Sequence, residues 1–232
     1  MLSRLIIHIR NLWTSSKWIK LNFKDFKNHL ESKGLYAPVP FKIFLWKENA
    51  KYFRVFNNKG RCFFVKMKHE KDILYESEVL KYLDTHNSEQ LDFFPKIVST
   101  IIDEHCYNVF EYLDGYKIDK KSIIEFDLIG QILTIVTFFH RIKIVHRDIR
   151  PHNLIVKNGV LRVLDFEHCA MTDKTNNKAF EELNKNFRPE NYKWDDAYSF
   201  KKIVDQYLIE RNFKNKYLEL SDMVDKYVYE IN

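Results

Sequence analysis

The chain has 232 residues, 45% of them hydrophobic and 16% aromatic, which is enough for a sizeable core and argues against disorder. Its three cysteines, Cys62, Cys106 and Cys169, form no C-x-x-C pair, so neither a disulfide framework nor a zinc site is predicted and a reducing, cytoplasmic setting is the simpler reading. The formal charge is +6, no internal repeat or low-complexity tract is present, and no apolar run is long enough to span a bilayer.

Most of the charge lies at the start. Residues 1 to 34 hold seven Lys or Arg against two Asp or Glu, which is +5 of the chain's +6. Within this leader, taken to end near Tyr36, Leu2, Leu5, Ile6, Ile9, Leu12 and Trp13 follow i, i+3, i+4 spacing. Arg4, His8, Arg10, Lys17 and Lys20 lie mostly beside or opposite that stripe. Two readings stay open: a helix resting on an anionic membrane surface, or a helix packing its stripe on the rest of the protein. Nucleic acid is not an expected partner, because the remainder of the chain is nearly neutral.

Arg61 to Met67 reads as a strand with Lys66 near its end, and Glu70 to Thr85 as a helix in which Ile73, Glu76, Leu80 and Leu83 share one face. A glutamate on an apolar face needs a partner, and Lys66 is the natural one. Cys106 to Leu113 reads as a further strand, and Asp127 to His140 as an apolar helix. Next come His146-Arg147-Asp148-Ile149-Arg150-Pro151-His152-Asn153 and two short apolar strands, Leu154 to Lys157 and Val160 to Leu164, joined by Asn158-Gly159. Asn-Gly between apolar runs signals a two-residue hairpin turn. If Lys157 faces Val160, Asn153 lies opposite Leu164, and the Asn153 amide and Asp165 carboxylate emerge together at the open end. Two hard oxygen ligands suit Mg²⁺, which completes its octahedron with water and substrate phosphates. Asp148, five residues before Asn153, is placed to take a proton from an acceptor hydroxyl.

These residues resemble the protein-kinase superfamily, whose catalytic loop reads H-R-D-x-x-x-x-N and whose metal-binding turn begins D-F. The resemblance implies an α+β fold with two lobes: a small β-rich N-lobe from 37 to 114 and a reduced helical C-lobe from 115 to 232. It implies ATP and Mg²⁺ as cofactors, Asp148 as catalytic base, and Asn153 and Asp165 as metal ligands. By the same resemblance Lys66, paired with Glu76, holds the α- and β-phosphates and Arg150 neutralises the transferred phosphate. Phe110 is then the gatekeeper, the main chain of Glu111, Tyr112 and Leu113 meets the adenine edge, and Asp196 anchors the catalytic loop. For Asp196 a plain helix-terminal acid is an equally good reading.

Three departures narrow the acceptor. No G-x-G-x-x-G lies at the turn between the first two strands, so phosphate contacts are expected from less flexible backbone or from Lys47 and Lys51. Glu167 replaces the glycine of D-F-G. Only 65 residues follow Glu167, and Arg188-Pro189-Glu190 is a shortened echo of A-P-E close to Asp196. Together with Asp165 to Cys169 and Leu183-Asn184-Lys185, these features make the chain similar to bacterial lipopolysaccharide core kinases acting on Kdo or heptose. The expected acceptor is therefore a sugar hydroxyl of a surface glycolipid. The expected place is the cytoplasm, with peripheral binding at the inner face of the inner membrane through residues 1 to 34. The Ser/Thr form of the catalytic loop keeps a small protein kinase as the alternative, and the missing glycine loop keeps a pseudokinase scaffold as a further one.

Overall fold

A computed structural model describes residues 2–88, 91–171, 181–207 and 214–230, with side chains from residue 9 onward. The side chains of Leu2, Arg4, Leu5, Ile6 and His8 therefore lie outside the described residues. Helix α1 (Leu2–Ser32) is followed by strand β1 (Tyr36–Pro40), a 3-10 turn at Ile43–Leu45, β2 (Lys51–Phe56) and β3 (Cys62–Met67). Helix α2 (Glu70–His86), β4 (Ile97–Ile101), β5 (Tyr107–Glu111) and β6 (Tyr116–Lys117) come next, then α3 (Lys120–Glu125), α4 (Leu128–Arg141) and β7 (Ile144–Val145). Strands β8 (Leu154–Lys157), β9 (Val160–Val163), β10 (Ala170–Met171) and β11 (Lys193–Trp194) precede α5 (Asp196–Val204), α6 (Lys214–Met223) and β12 (Tyr229–Glu230). The mixture of helix and strand is the expected α+β class. Contacts divide the chain into two units, Met1–Glu78 with Lys96–Leu113 and Val79–Pro95 with Asp114–Asn232, the division falling inside α2.

The first unit is built on an antiparallel sheet of order β1-β2-β3-β5-β4. Strand alternation gives the sheet two faces of different character. Phe53, Val55, Phe63, Val65, Tyr107 and Val109 form one, and α1 covers it from Trp18 to Leu30 with Trp18, Ile19, Phe23, Phe26 and Leu30. Phe26 meets Phe53 with ring centroids 4.9 Å apart and Tyr107 edge-on at 5.8 Å. Lys66 and Asn108, paired across β3 and β5, stand on the opposite face, where Asn108 Nδ2 donates to the Ile73 carbonyl of α2. Parity along β3 thus separates the leader helix from Lys66. The part of α1 that packs lies beyond the predicted stripe, whose described members Ile9, Leu12 and Trp13 are exposed.

The second unit has α4 at its centre. Its sequence Leu-Ile-Gly-Gln-Ile-Leu-Thr-Ile-Val-Thr-Phe-Phe is apolar almost all round, and Leu128, Ile129, Ile132, Leu133, Ile135, Val136, Phe138 and Phe139 are buried. Asp127 caps its start by accepting from the Gly130 amide. Gln131 binds the hairpin backbone from α4, donating to the Gly159 carbonyl and accepting from the Leu161 amide. In the hairpin, Lys157 faces Val160 and Leu154 faces Val163, and the Leu164 amide donates to the Asn153 carbonyl at 2.8 Å. Asn158 and Gly159 both have positive φ, 52° and 76°, as this turn requires. A Cβ on Gly159 would stand 2.8 Å from the Phe126 ring, so the position also demands the smallest residue.

Candidate active site

In the first unit, β3 and α2 bring Lys66 Nζ within 2.9 Å of Glu76 Oε1. Both side chains are almost wholly buried. Glu76 lies between Ile73, Leu80 and Leu83 on the inward stripe of α2. Phe110 is buried in β5. The Glu111 amide is committed to the Lys96 carbonyl at 3.1 Å, so of the three residues that the resemblance sets at an adenine edge, Glu111 does not offer its amide. The Glu111 carboxylate pairs with Arg61 at 2.5 Å.

The expectation that Lys51 contacts phosphate is corrected here. Lys51 is buried, its ammonium donates to the Glu48 carbonyl at 2.7 Å and sits 5.1 Å from the Trp18 ring, and burial lowers its pKa. Those contacts belong to the packing under α1. Lys47 remains exposed, its backbone bridged to Ala50. In place of glycines, the Lys66 face of the sheet offers aromatic rings. Tyr52 and Phe64 stack at 5.9 Å with an interplanar angle of 13°, and Phe110 is 6.2 Å from Phe64.

In the second unit, the catalytic-loop residues converge on Asp148, which is 1% exposed. Asn153 Nδ2 donates to Asp148 Oδ2 at 2.8 Å and to its carbonyl at 3.0 Å, and Arg150 Nη2 is 2.9 Å from the same Oδ2. Oδ1 has no hydrogen-bond partner among the described residues. A buried carboxylate with one oxygen held and the other open is suited to accept a proton from a bound hydroxyl. Burial pushes the Asp148 pKa up to about 6; the Arg150 cation opposes this and the nearby Asp165 carboxylate adds to it.

With its nitrogen committed to Asp148, the Asn153 side chain has its carbonyl oxygen left to offer a cation. Asp165 stands at the end of the hairpin with φ 69°, a left-handed conformation that aspartate tolerates better than most residues. One amide oxygen and one carboxylate make a hard donor set that fits Mg²⁺ completed by phosphates and water. It is not an all-protein cage: the described residues hold no cluster of three or more His, Cys, Asp or Glu able to bind a metal.

Several supports were less visible in the sequence. His146 is fully buried; its Nε2 faces the Leu164 carbonyl at 3.1 Å, and its Nδ1 accepts from the Asp148 amide at 3.2 Å. That pattern calls for a neutral ring, and burial lowers the His146 pKa to about 4. Arg147, with φ 65°, donates to the His168 carbonyl and lies 5.5 Å from both the Trp194 and Tyr229 rings. Asn184 Nδ2 donates to the Ile149 carbonyl at 3.1 Å. The sequence signals for these were the motif in which His146 and Arg147 sit and the Leu183-Asn184-Lys185 segment.

Asp196 resolves in favour of the anchor. Its two oxygens accept from the His146 and Arg147 amides at 2.7 and 3.2 Å, while the helix cap is the neighbouring Asp195. Burial pushes the Asp196 pKa up to about 7, against the pull of these donors. Asp196→Asn, nearly equal in shape, would set an NH₂ against one of two buried N–H groups. It is expected to cost about 1–3 kcal/mol in a thermal melt and to lower kcat as the loop loosens. An unchanged melt and rate would remove Asp196 from its anchoring role.

The buried Lys66–Glu76 pair of the first unit and the Asp148, Asn153 and Asp165 set of the second are each arranged as the resemblance to kinases implies. Comparison with known proteins agrees: the protein kinase domain family matches residues 61–200, more than half of the chain, and the chain belongs to that family. Among similar proteins, a probable serine/threonine-protein kinase of Bacillus subtilis, YbdM, is 30% identical over 110 residues, covering 44% of this chain and 42% of that protein. Serine/threonine-protein kinase D of Synechocystis is 32% identical over 89 residues, 36% of this chain and 17% of its own length. Calcium-dependent protein kinase 4 of Plasmodium falciparum is 32% identical over 112 residues, 44% and 21% respectively. The match thus spans less than half the length of each of these relatives. The family generally uses ATP and Mg²⁺. No helix among the described residues is long and apolar enough to cross a membrane.

Proposed function

We propose that this kinase transfers the γ-phosphoryl group of ATP to a sugar hydroxyl of a surface glycolipid such as a lipopolysaccharide core. The observation that carries the choice of acceptor is the fate of Arg188-Pro189-Glu190. Arg188 is buried, lies 5.5 Å from the Trp194 ring and donates to Asn191 at 2.6 Å, and Glu190 is bridged to Lys193. Helix α5 starts at Asp196. This shortened echo of A-P-E is spent on a tight internal turn just before α5, which favours a small acceptor over a peptide.

In the reaction, Asp148 Oδ1 takes the proton of the acceptor hydroxyl while Asn153 and Arg150 hold Oδ2 in place. The acceptor oxygen forms its bond to the γ-phosphorus as the bond to the ADP oxygen breaks. Asn153 and Asp165 would hold the Mg²⁺, which when bound neutralises charge on the phosphates. Lys66, oriented by Glu76, would hold the α- and β-phosphates, and Arg150 adds positive charge beside the base.

Because the Asp148 pKa is raised rather than lowered, the ionised base is lost as the pH falls through about 6. The kcat/KM profile is expected to drop about tenfold per pH unit below that point. Arg150→Met removes a cation that favours the carboxylate, so the acid limb should move to higher pH. A limb unmoved by this change would contradict the coupling.

A second reading, a small Ser/Thr protein kinase, is favoured by the catalytic loop His146 to Asn153 and by the serine/threonine-kinase names of the relatives. A scaffold without activity has no use for Asp148, Asn153 and Asp165 together. Mass spectrometry of core glycans from cells with and without the gene tests the glycolipid reading. Loss of one phosphate from the glycan is expected; an unchanged glycan with altered phosphoproteins would favour the protein-kinase reading.

A further inference from the structure

Helix α1 is covered along only part of its length. Trp18, Ile19, Phe23, Phe26 and Leu30 meet the sheet, but Ile9, Leu12 and Trp13 are 58%, 45% and 66% exposed. Their i, i+3, i+4 spacing puts them on one strip. The 3-10 turn Ile43–Leu45 stands against the same helix, with Ser15 Oγ 3.4 Å from the Ile43 carbonyl, and it presents Phe44 and Leu45, 47% and 42% exposed. Two segments distant in sequence but in contact at Ser15 and Ile43 therefore each present exposed apolar side chains.

The segments that carry these side chains are themselves cationic. Residues 2 to 24 and 35 to 47 contain no carboxylate, and Arg10, Lys17, Lys20, Lys24, Lys42 and Lys47 are exposed. Lys17 lies 5.8 Å from the Trp13 ring, so the largest apolar group is bordered by a cation. A second copy of the chain is a poor match, since the surface offers no anion to complement its own cations. The exposed tryptophan and aliphatic side chains beside lysines fit the boundary between lipid headgroups and acyl chains.

We propose that the first half of α1 and the Ile43–Leu45 turn form a docking surface for an anionic lipid bilayer. This goes beyond the reading of the acceptor and holds for any substrate of the kinase. The whole chain is mixed with vesicles of phosphatidylcholine alone, or of equal parts phosphatidylcholine and phosphatidylglycerol, and bound protein is measured by sedimentation. Binding to the anionic vesicles only is expected, weakening as salt rises toward 1 M, where the screening length is about 3 Å. Lys17→Glu with Lys20→Glu, and separately Leu12→Ser with Trp13→Ser, should each lower binding roughly tenfold or more. All four side chains being largely or partly in solvent, melting temperatures should stay near that of the wild type. No binding to anionic vesicles, equal binding to neutral ones, binding kept by both variants, or a wild-type dimer that Leu12→Ser with Trp13→Ser abolishes would overturn the proposal.

Discussion

Asp148→Ala is expected to lower kcat about 10²–10⁴-fold, the usual share of a general base, while Mg·ATP affinity changes only a few-fold. The reason lies in the geometry: Asp148 binds Asn153 and Arg150 through Oδ2 and keeps Oδ1 open, so its work concerns the acceptor proton. The loss of its contact to Asn153 accounts for the small effect on nucleotide. Asp165→Ala should behave differently. As the carboxylate of the metal pair it should reduce both kcat and the Mg²⁺-dependent part of ATP binding. Calorimetric titration of both variants with ATP, with and without Mg²⁺, separates the roles. Equal loss of nucleotide affinity in the two would contradict the assignment.

The second large effect concerns Lys66 and Glu76. Each is buried, and their 2.9 Å contact compensates two desolvated charges. Lys66→Met leaves Glu76 buried without that contact, and Glu76→Gln does the same to Lys66. Breaking a buried pair from one side typically costs about 3–5 kcal/mol. Removing both ends should cost less than the sum, with a coupling of about 1–3 kcal/mol in urea denaturation of the four proteins. Activity should fall to a similar low level in all three variants. Strict additivity of stabilities and rates would argue against a working ion pair.

The parts of this structure that were legible in the sequence are those governed by local rules. Asn158-Gly159 dictated the hairpin because few other residue pairs accept two positive φ values, and the register of the hairpin then placed Asn153 against Leu164. The 3.6-residue period of α2 placed Glu76 among Ile73, Leu80 and Leu83. What local rules could not supply was the partner of each surface. Lys51 looked like a loop cation, but a tertiary contact with Trp18, far away in sequence, buries it. The leader's amphipathic pattern was plain, yet period alone does not say what covers a stripe. Phe53 and Tyr107 cover α1 beyond the stripe, at Trp18 to Leu30, while Ile9, Leu12 and Trp13 of the stripe itself stay exposed. Asp196 was ambiguous for the same reason. Only the folded chain shows two backbone N–H groups of the catalytic loop aimed at its carboxylate.

The most direct test of the account follows the γ-phosphoryl group itself. The protein is incubated with Mg·ATP labelled in that group, a purified lipid A-core glycolipid and a generic basic protein, and the products are separated and identified. Label is expected in the glycolipid as a phosphate monoester, formed far faster than any labelled protein and absent with Asp148→Ala. Label in the protein with none in the glycan would contradict the proposed acceptor, and nucleotide binding without transfer to either would contradict the phosphotransferase mechanism.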